Sequence, residues 1–130
     1  MKLVELSKKG DARGALVVVE QHKDIPIEIK RVYYMFDTAN DVRRGFHAHK
    51  KLTQIAIPVK GSCRFLLDDG KNIEHILLDS PTIGLVIEPM VWHEMYDYSD
   101  DCVLMVLADD YYDESDYIRS YEDFKQMMVL

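Results

Sequence analysis

The stretch Arg43-Arg44-Gly45-Phe46-His47-Ala48-His49-Lys50-Lys51 sets two imidazoles two residues apart between two pairs of cations. In an extended strand side chains alternate, so His47 and His49 project from one face while Phe46, Ala48 and Lys50 project from the other. Two imidazoles on one face can share proton-transfer work near neutral pH, or they can hold a metal. Upstream, Arg31, Tyr33 and Met35 share a face of the run Ile29–Phe36, with Val32, Tyr34 and Phe36 opposite. An arginine and a tyrosine on one strand face either meet solvent or line a polar cavity.

The elements that must position these groups read as short strands. Leu3–Leu6 is an edge strand, and Asp11-Ala12-Arg13-Gly14 a turn into the β-branched strand Ala15–Glu20. Arg13 beside that turn reads, on this evidence alone, as a solvated charge, and His22 sits in a polar loop. After the histidine pair come strands at Gln54–Val59, Gly61–Leu67, Asn72–Leu78, Ile83–Ile87, Val91–Tyr96 and Cys102–Ala108, with Asp68-Asp69-Gly70-Lys71 as a hairpin turn. Roughly ten strands broken by turn residues predict a sandwich or barrel. The tail differs: Ser120 caps a short helix that carries Tyr121, Phe124, Met127 and Met128 on its packing side. Trp92 is read as core packing.

The whole chain sets limits on function. Its 130 residues, 48% of them apolar, suffice for one domain over 1–130 with its own core. A net charge of −7 argues against general nucleic-acid binding, and no apolar run is long enough for a membrane span. The start lacks an apolar signal segment, so a cytoplasmic protein is expected. Cys63 and Cys102 lie in separate apolar runs and predict buried thiols, not a zinc or redox pair. Acidic residues crowd the last fifth of the chain, whereas cations bracket the histidines; a small basic site on an acidic protein suits a small anionic ligand.

Gly45, His47, His49 and Gly61 have the spacing of the first cupin motif, in which a glutamate five residues after the second histidine completes a metal site; here that position is Gln54. Gly84, Pro89 and His93 form a shortened version of the second cupin motif. The resemblance predicts an all-β, cupin-like double-stranded β-helix, or jelly roll, with a short C-terminal helix. An amide in place of the carboxylate removes a charged ligand, leaving three histidines at most.

A closer resemblance covers about Asp11 to Lys125. Arg31-Val32-Tyr33-Tyr34, Arg44–Lys51, Leu78-Asp79-Ser80-Pro81, Val91-Trp92-His93-Glu94-Met95 and Asp110–Arg119 resemble the nucleotide-sugar 3,4-ketoisomerases of the WxcM-like group. That resemblance implies an isomerase without metal or cofactor, and a homodimer that exchanges N-terminal strands. It implies action on dTDP-4-keto-6-deoxy-D-glucose, moving the ketone from C4 to C3 for 3-amino-sugars of bacterial surface polysaccharides. Such a step needs a base, a proton donor and a cationic setting for the enediolate.

His49 is assigned as the base at C3 and His47 as the relay to C4, roles that sequence leaves interchangeable. Arg44 is expected to hold the oxyanion or diphosphate, with Arg31, Tyr33 and Lys51 at the nucleotide. His93 either lines the pocket or makes a structural hydrogen bond. Arg13 and His93 resemble the type that gives the galacto product, dTDP-3-keto-6-deoxy-D-galactose, which raises Arg13 above a mere surface charge. The alternatives are the gluco product of the same reaction, a metal-dependent cupin oxygenase, and a non-catalytic sugar-nucleotide binding module.

Overall fold

Apolar side chains that alternate between two buried faces account for most of this architecture. The computed structural model describes residues 2–129; Met1 and Leu130, the ends of the expected domain, lie outside them. The strands are β1 (Lys2–Glu5), β2 (Lys8–Asp11), β3 (Gly14–Val17), β4 (Arg31–Met35), β5 (Arg44–His49), β6 (Gln54–Lys60), β7 (Cys63–Asp68), β8 (Ile73–Leu78), β9 (Ile83–Ile87), β10 (Trp92–Tyr96), β11 (Val103–Ala108) and β12 (Tyr117–Ile118). A single turn of 3-10 helix, Glu114–Asp116, precedes β12, and helix α1 (Tyr121–Met128) follows it. Two antiparallel five-stranded sheets, ordered β1-β9-β6-β11-β4 and β12-β5-β10-β7-β8, make the expected jelly roll, while β2 pairs with β3 as a separate hairpin.

Strands buried on both faces read as nearly continuous apolar runs. In β6 and β11, Ala56, Leu104 and Val106 face the interior with Phe65, Leu67, Leu85 and Ile87. Their neighbours Ile55, Ile57 and Leu107 pack outward under Leu6, Ile25 and Ile27 of the N-terminal segment. Strand β10 alternates likewise: Met95 joins the interior, whereas Trp92 lies on the outer face with Ala48, Ile118 and the fully buried Phe124 of α1.

The Ser120 hydroxyl accepts a hydrogen bond from the Asp123 amide, the helix start read from sequence. The four-residue packing stripe is narrower than predicted, because Tyr121 and Met127 stay about two-fifths exposed while Phe124 makes the burial. No helix among the described residues is long and apolar enough to cross a membrane. Both thiols are free and buried, and burial pushes the Cys63 thiol up to about 12.

β12 was not expected and the strand expected over Ala15–Glu20 ends at Val17, and two further features depart from the expected elements. β2 has no apolar residue and gave no strand signal; it exists because Lys8–Asp11 folds back on β3. On β4 the predicted alternation holds, with Arg31, Tyr33 and Met35 turned inward, but Val32, Tyr34 and Phe36 are left on an open face, each more than half exposed.

Candidate active site

Strand β5 carries the histidine pair through a bulge. His47 pairs with His93 and Gly45 with Glu94, so Phe46 is the extra residue, with φ of +60° beside Gly45 at +93°. A Cβ on Gly45 would stand 2.9 Å from the His93 carbonyl oxygen, so this strand pair can close only around glycine. The bulge also brings the Gly45 carbonyl within 3.0 Å of His47 Nδ1. Ala48 points to the opposite face as predicted and is fully buried there with Trp92, Ile118 and Phe124 of α1, while Phe46 stays exposed.

The three imidazoles converge inside the second sheet. Ring centroids are 4.4 Å apart for His47 and His93, 5.0 Å for His47 and His49, and 6.1 Å for His49 and His93. His49 is 3% exposed and His93 2%. His93 Nδ1 lies 3.1 Å from the Val91 carbonyl, so a structural hydrogen bond and a place in the cluster coexist. Burial holds the pKa of all three below the ordinary value, His49 at about 4 and His93 at about 3, because a charged imidazole there loses its hydration and, at His49 and His93, would also meet the charge of His47. The cluster is therefore neutral at pH 7.

Around it stand groups from other strands. Tyr33 of β4 accepts a hydrogen bond from the Gln54 amide at 2.7 Å, and burial raises the pKa of its hydroxyl. Arg31 stacks its guanidinium over the rings of Tyr33 and Tyr112, while its buried Nε has no partner. Tyr117 of β12 packs against His49 and His47 at centroid distances of 4.3 and 4.9 Å, and Arg119 covers its ring at 4.2 Å. A cavity of about 120 Å³ is lined by His49, Arg31, Lys51, Asp116 and Tyr117, among others. Asp116 Oδ2 comes within 3.3 Å of His49 Nδ1.

The fold thus gathers His47, His49, His93, Arg31, Tyr33 and Lys51. Arg44 lies at the opposite end of β5, exposed, pairing with Met95 and placing its charge near the buried Tyr98 hydroxyl. Arg13 is not brought to the cluster within one chain; it sits at the tip of the β2–β3 hairpin, its side chain 91% exposed and paired with Asp11 at 2.7 Å. Sequence reasoning missed Asp116 and Tyr117 as neighbours of the histidines. Their only signal was membership of the Asp110–Arg119 block.

His47, His49 and His93 are also the group that could hold a metal ion among the described residues, each offering a nitrogen within 4.8 Å of the others. They are neutral imidazoles, the form that ligates. A carboxylate does not complete the set at position 54, where the Gln54 amide is engaged by Tyr33.

A two-sheet jelly roll with an H-x-H strand facing a third histidine defines a cupin-like protein. The chain belongs to the family described as FdtA: WxcM-like, C-terminal, which matches residues 1–129. It is 58% identical over 128 residues to the TDP-4-oxo-6-deoxy-α-D-glucose-3,4-oxoisomerase of Aneurinibacillus thermoaerophilus, covering 98% of this chain and 92% of that one. Among solved structures it is similar to the sugar 3,4-ketoisomerase QdtA of Thermoanaerobacterium thermosaccharolyticum in complex with TDP, at 42% identity and a TM-score of 0.96, covering 98% and 93% of the two chains. A histidine-to-asparagine variant of QdtA, in complex with TDP-4-keto-6-deoxyglucose, is 42% identical with a TM-score of 0.96 over 98% of this chain and 92% of that one. These relatives place the chain among the sugar 3,4-ketoisomerases, which are isomerases.

Proposed function

We propose that this chain moves the ketone of dTDP-4-keto-6-deoxy-D-glucose from C4 to C3 by imidazole-mediated proton transfer. The observation that carries the reading is the set of three neutral imidazoles, two buried and His47 half-buried, converging beside Arg31 and Tyr33. His49 takes the C3 proton while the C4 oxygen is protonated, giving a 3,4-enediol. The O3 hydrogen then leaves as the C3 ketone forms, and C4 receives a proton relayed by His47. Hydrogen is conserved: one moves from C3 to C4 and one from O3 to O4. Neutral imidazoles suit the first step, because a protonated base cannot accept.

Arg31, whose buried Nε is unpartnered, and Lys51 supply positive charge beside His49 for the enediolate or diphosphate, with Arg44 at the other end of β5. The galacto product is the reading taken here, supported by the resemblance at Arg13 and His93.

The deciding experiment incubates the protein with dTDP-4-keto-6-deoxyglucose in deuterated water and follows the sugar by NMR. Solvent exchange at C3 and a galacto configuration at C4 are expected, with turnover unchanged after chelator treatment. A gluco configuration would overturn the stereochemical reading. Loss of turnover on chelation, restored by a transition metal, would favour a metal held by the histidines, and binding without turnover a non-catalytic module.

The exchanged N-terminal homodimer belongs to the same reading. The β2–β3 hairpin pairs with no other strand among the described residues, and it exposes Leu16 while β4 exposes Val32, Tyr34 and Phe36. Exchange would carry Arg13 toward a partner's site. Light scattering is expected to give twice the 15.2 kDa chain mass, and a monomer at micromolar concentration would sink the dimer.

A further inference from the structure

The opening of β5 leaves extended backbone at a residue that carries a side chain. Phe46 has φ of +60° and Gly45 of +93°, and the two together oppose Glu94 across the pair with β10. Gly45 has steric grounds for its identity, since the His93 carbonyl lies 2.9 Å from where a Cβ would stand. Phe46 has no such grounds: it is 44% exposed, so removing its ring opens no core cavity. What its backbone does is orient the peptide group between residues 45 and 46. Against an ordinary antiparallel φ, the value at Phe46 turns that peptide by roughly half a revolution relative to the chain that follows. The Gly45 carbonyl belongs to that peptide, and it ends 3.0 Å from His47 Nδ1. The rings of His93, Tyr117 and His49 surround His47 at centroid distances of 4.4, 4.9 and 5.0 Å, contacts that leave its proton placement open.

We propose that the bulge at Gly45 and Phe46 is a positioning device for the reaction: left-handed backbone at Phe46 aims a carbonyl at His47 and so fixes which nitrogen of that ring exchanges protons with the sugar. This rests on the ketoisomerase reading above and holds for whichever carbon's proton His47 carries. A carbonyl oxygen only accepts, so the nitrogen facing it carries the hydrogen and Nε2 keeps the lone pair. Turning the ring over would break the bond, so the same contact holds its orientation. A left-handed φ is uncommon outside glycine and persists where the surrounding structure enforces it. Here β5 closes on β10 with His47 opposite His93 and Arg44 opposite Met95, which leaves one residue too many between them. His93 donates in the same way to the Val91 carbonyl at 3.1 Å, but from backbone without a positive φ at Val91 or Trp92. A change at Phe46 therefore reaches His47 and leaves His93 as an internal reference.

The test separates backbone from ring with three variants that all lose the phenyl group. Phe46→Gly and Phe46→Asn accept a left-handed φ, whereas the β-branched side chain of Phe46→Val resists it. For Phe46→Val, kcat is expected to fall about 10- to 10²-fold with KM changed less than about threefold, while Phe46→Gly and Phe46→Asn stay within about threefold of the wild-type kcat. Nitrogen-15 NMR reads the cause: His47 protonated at Nδ1 is expected in the wild-type enzyme and in Phe46→Gly and Phe46→Asn. In Phe46→Val that tautomer should be lost at His47 and kept at His93. Equal kcat in all three variants, a loss confined to KM, or wild-type His47 protonated at Nε2 would overturn the inference. Should Phe46→Val fail to fold, the wild-type tautomer and the activity of the other two variants still decide it. A wild-type enzyme without turnover would instead defeat the ketoisomerase reading.

Discussion

Replacing His49 with asparagine is expected to lower kcat by about 10³-fold or more while the protein stays folded. Asparagine keeps a planar polar group of smaller size but has no lone pair basic enough to accept a carbon-bound proton. Solvent exchange at C3 should vanish with turnover, because both begin with the same abstraction. His47→Asn should behave differently: if His47 relays to C4, exchange at C3 survives while transfer to C4 is lost. Circular dichroism and thermal melting check the fold, and NMR in deuterated water checks both exchanges. Retained turnover in His49→Asn would move the base to His47, whose ring centroid is 5.0 Å away.

The distinction between these histidines shows what could be read from sequence. Two residues of strand spacing were enough to put His47 and His49 on one face, since that depends only on the local period of two. The same period put Arg31 and Tyr33 on one face of β4 but left open whether that face met solvent or a cavity; the fold turns it inward. Local patterning could not reveal the bulge at Phe46, which depends on the register of β5 against β10. Nor could it pair His49 with Asp116, 67 positions later in the chain, because that contact is made by folding Glu114–Ile118 back onto β5.

Gln54 is a middle case. Its identity weakened a carboxylate-completed metal site, but its use, donating to Tyr33, follows only from the pairing of β6, β11 and β4. The open face of Val32, Tyr34 and Phe36 runs against burial as a rule for apolar residues. Nothing in the spacing distinguished it from a core face, because period two is the same on either side of a strand.

Holding three imidazoles neutral, two of them buried and His47 half-buried, also makes the fold acid-sensitive over a definite pH window. In the unfolded chain a histidine takes up a proton as pH falls through about 6.5. In the folded protein His49 resists until about 4 and His93 until about 3, with His47 displaced in the same direction. The unfolded state therefore binds more protons between these limits, so stability is highest above about pH 6.5 and falls as pH drops toward 4. One displaced unit corresponds to about 1.4 kcal/mol, which makes the His49 contribution on the order of 3 kcal/mol by pH 4 and that of His93 comparable or larger. That sum is a large fraction of an ordinary domain's stability. The carboxylates held low, Asp11, Asp69, Asp113 and Glu114, act in the same direction only below their ordinary range, so the interval from 6.5 to about 4.5 isolates the histidines. Urea unfolding at half-unit steps across that interval should show stability falling with each step, and His93→Gln should make the slope shallower by about one proton. A flat profile down to pH 4.5 would mean that the cluster takes up protons as readily folded as unfolded. It would then be about one-quarter charged at pH 7, and correspondingly fewer of the imidazoles would be neutral and ready for abstraction at C3.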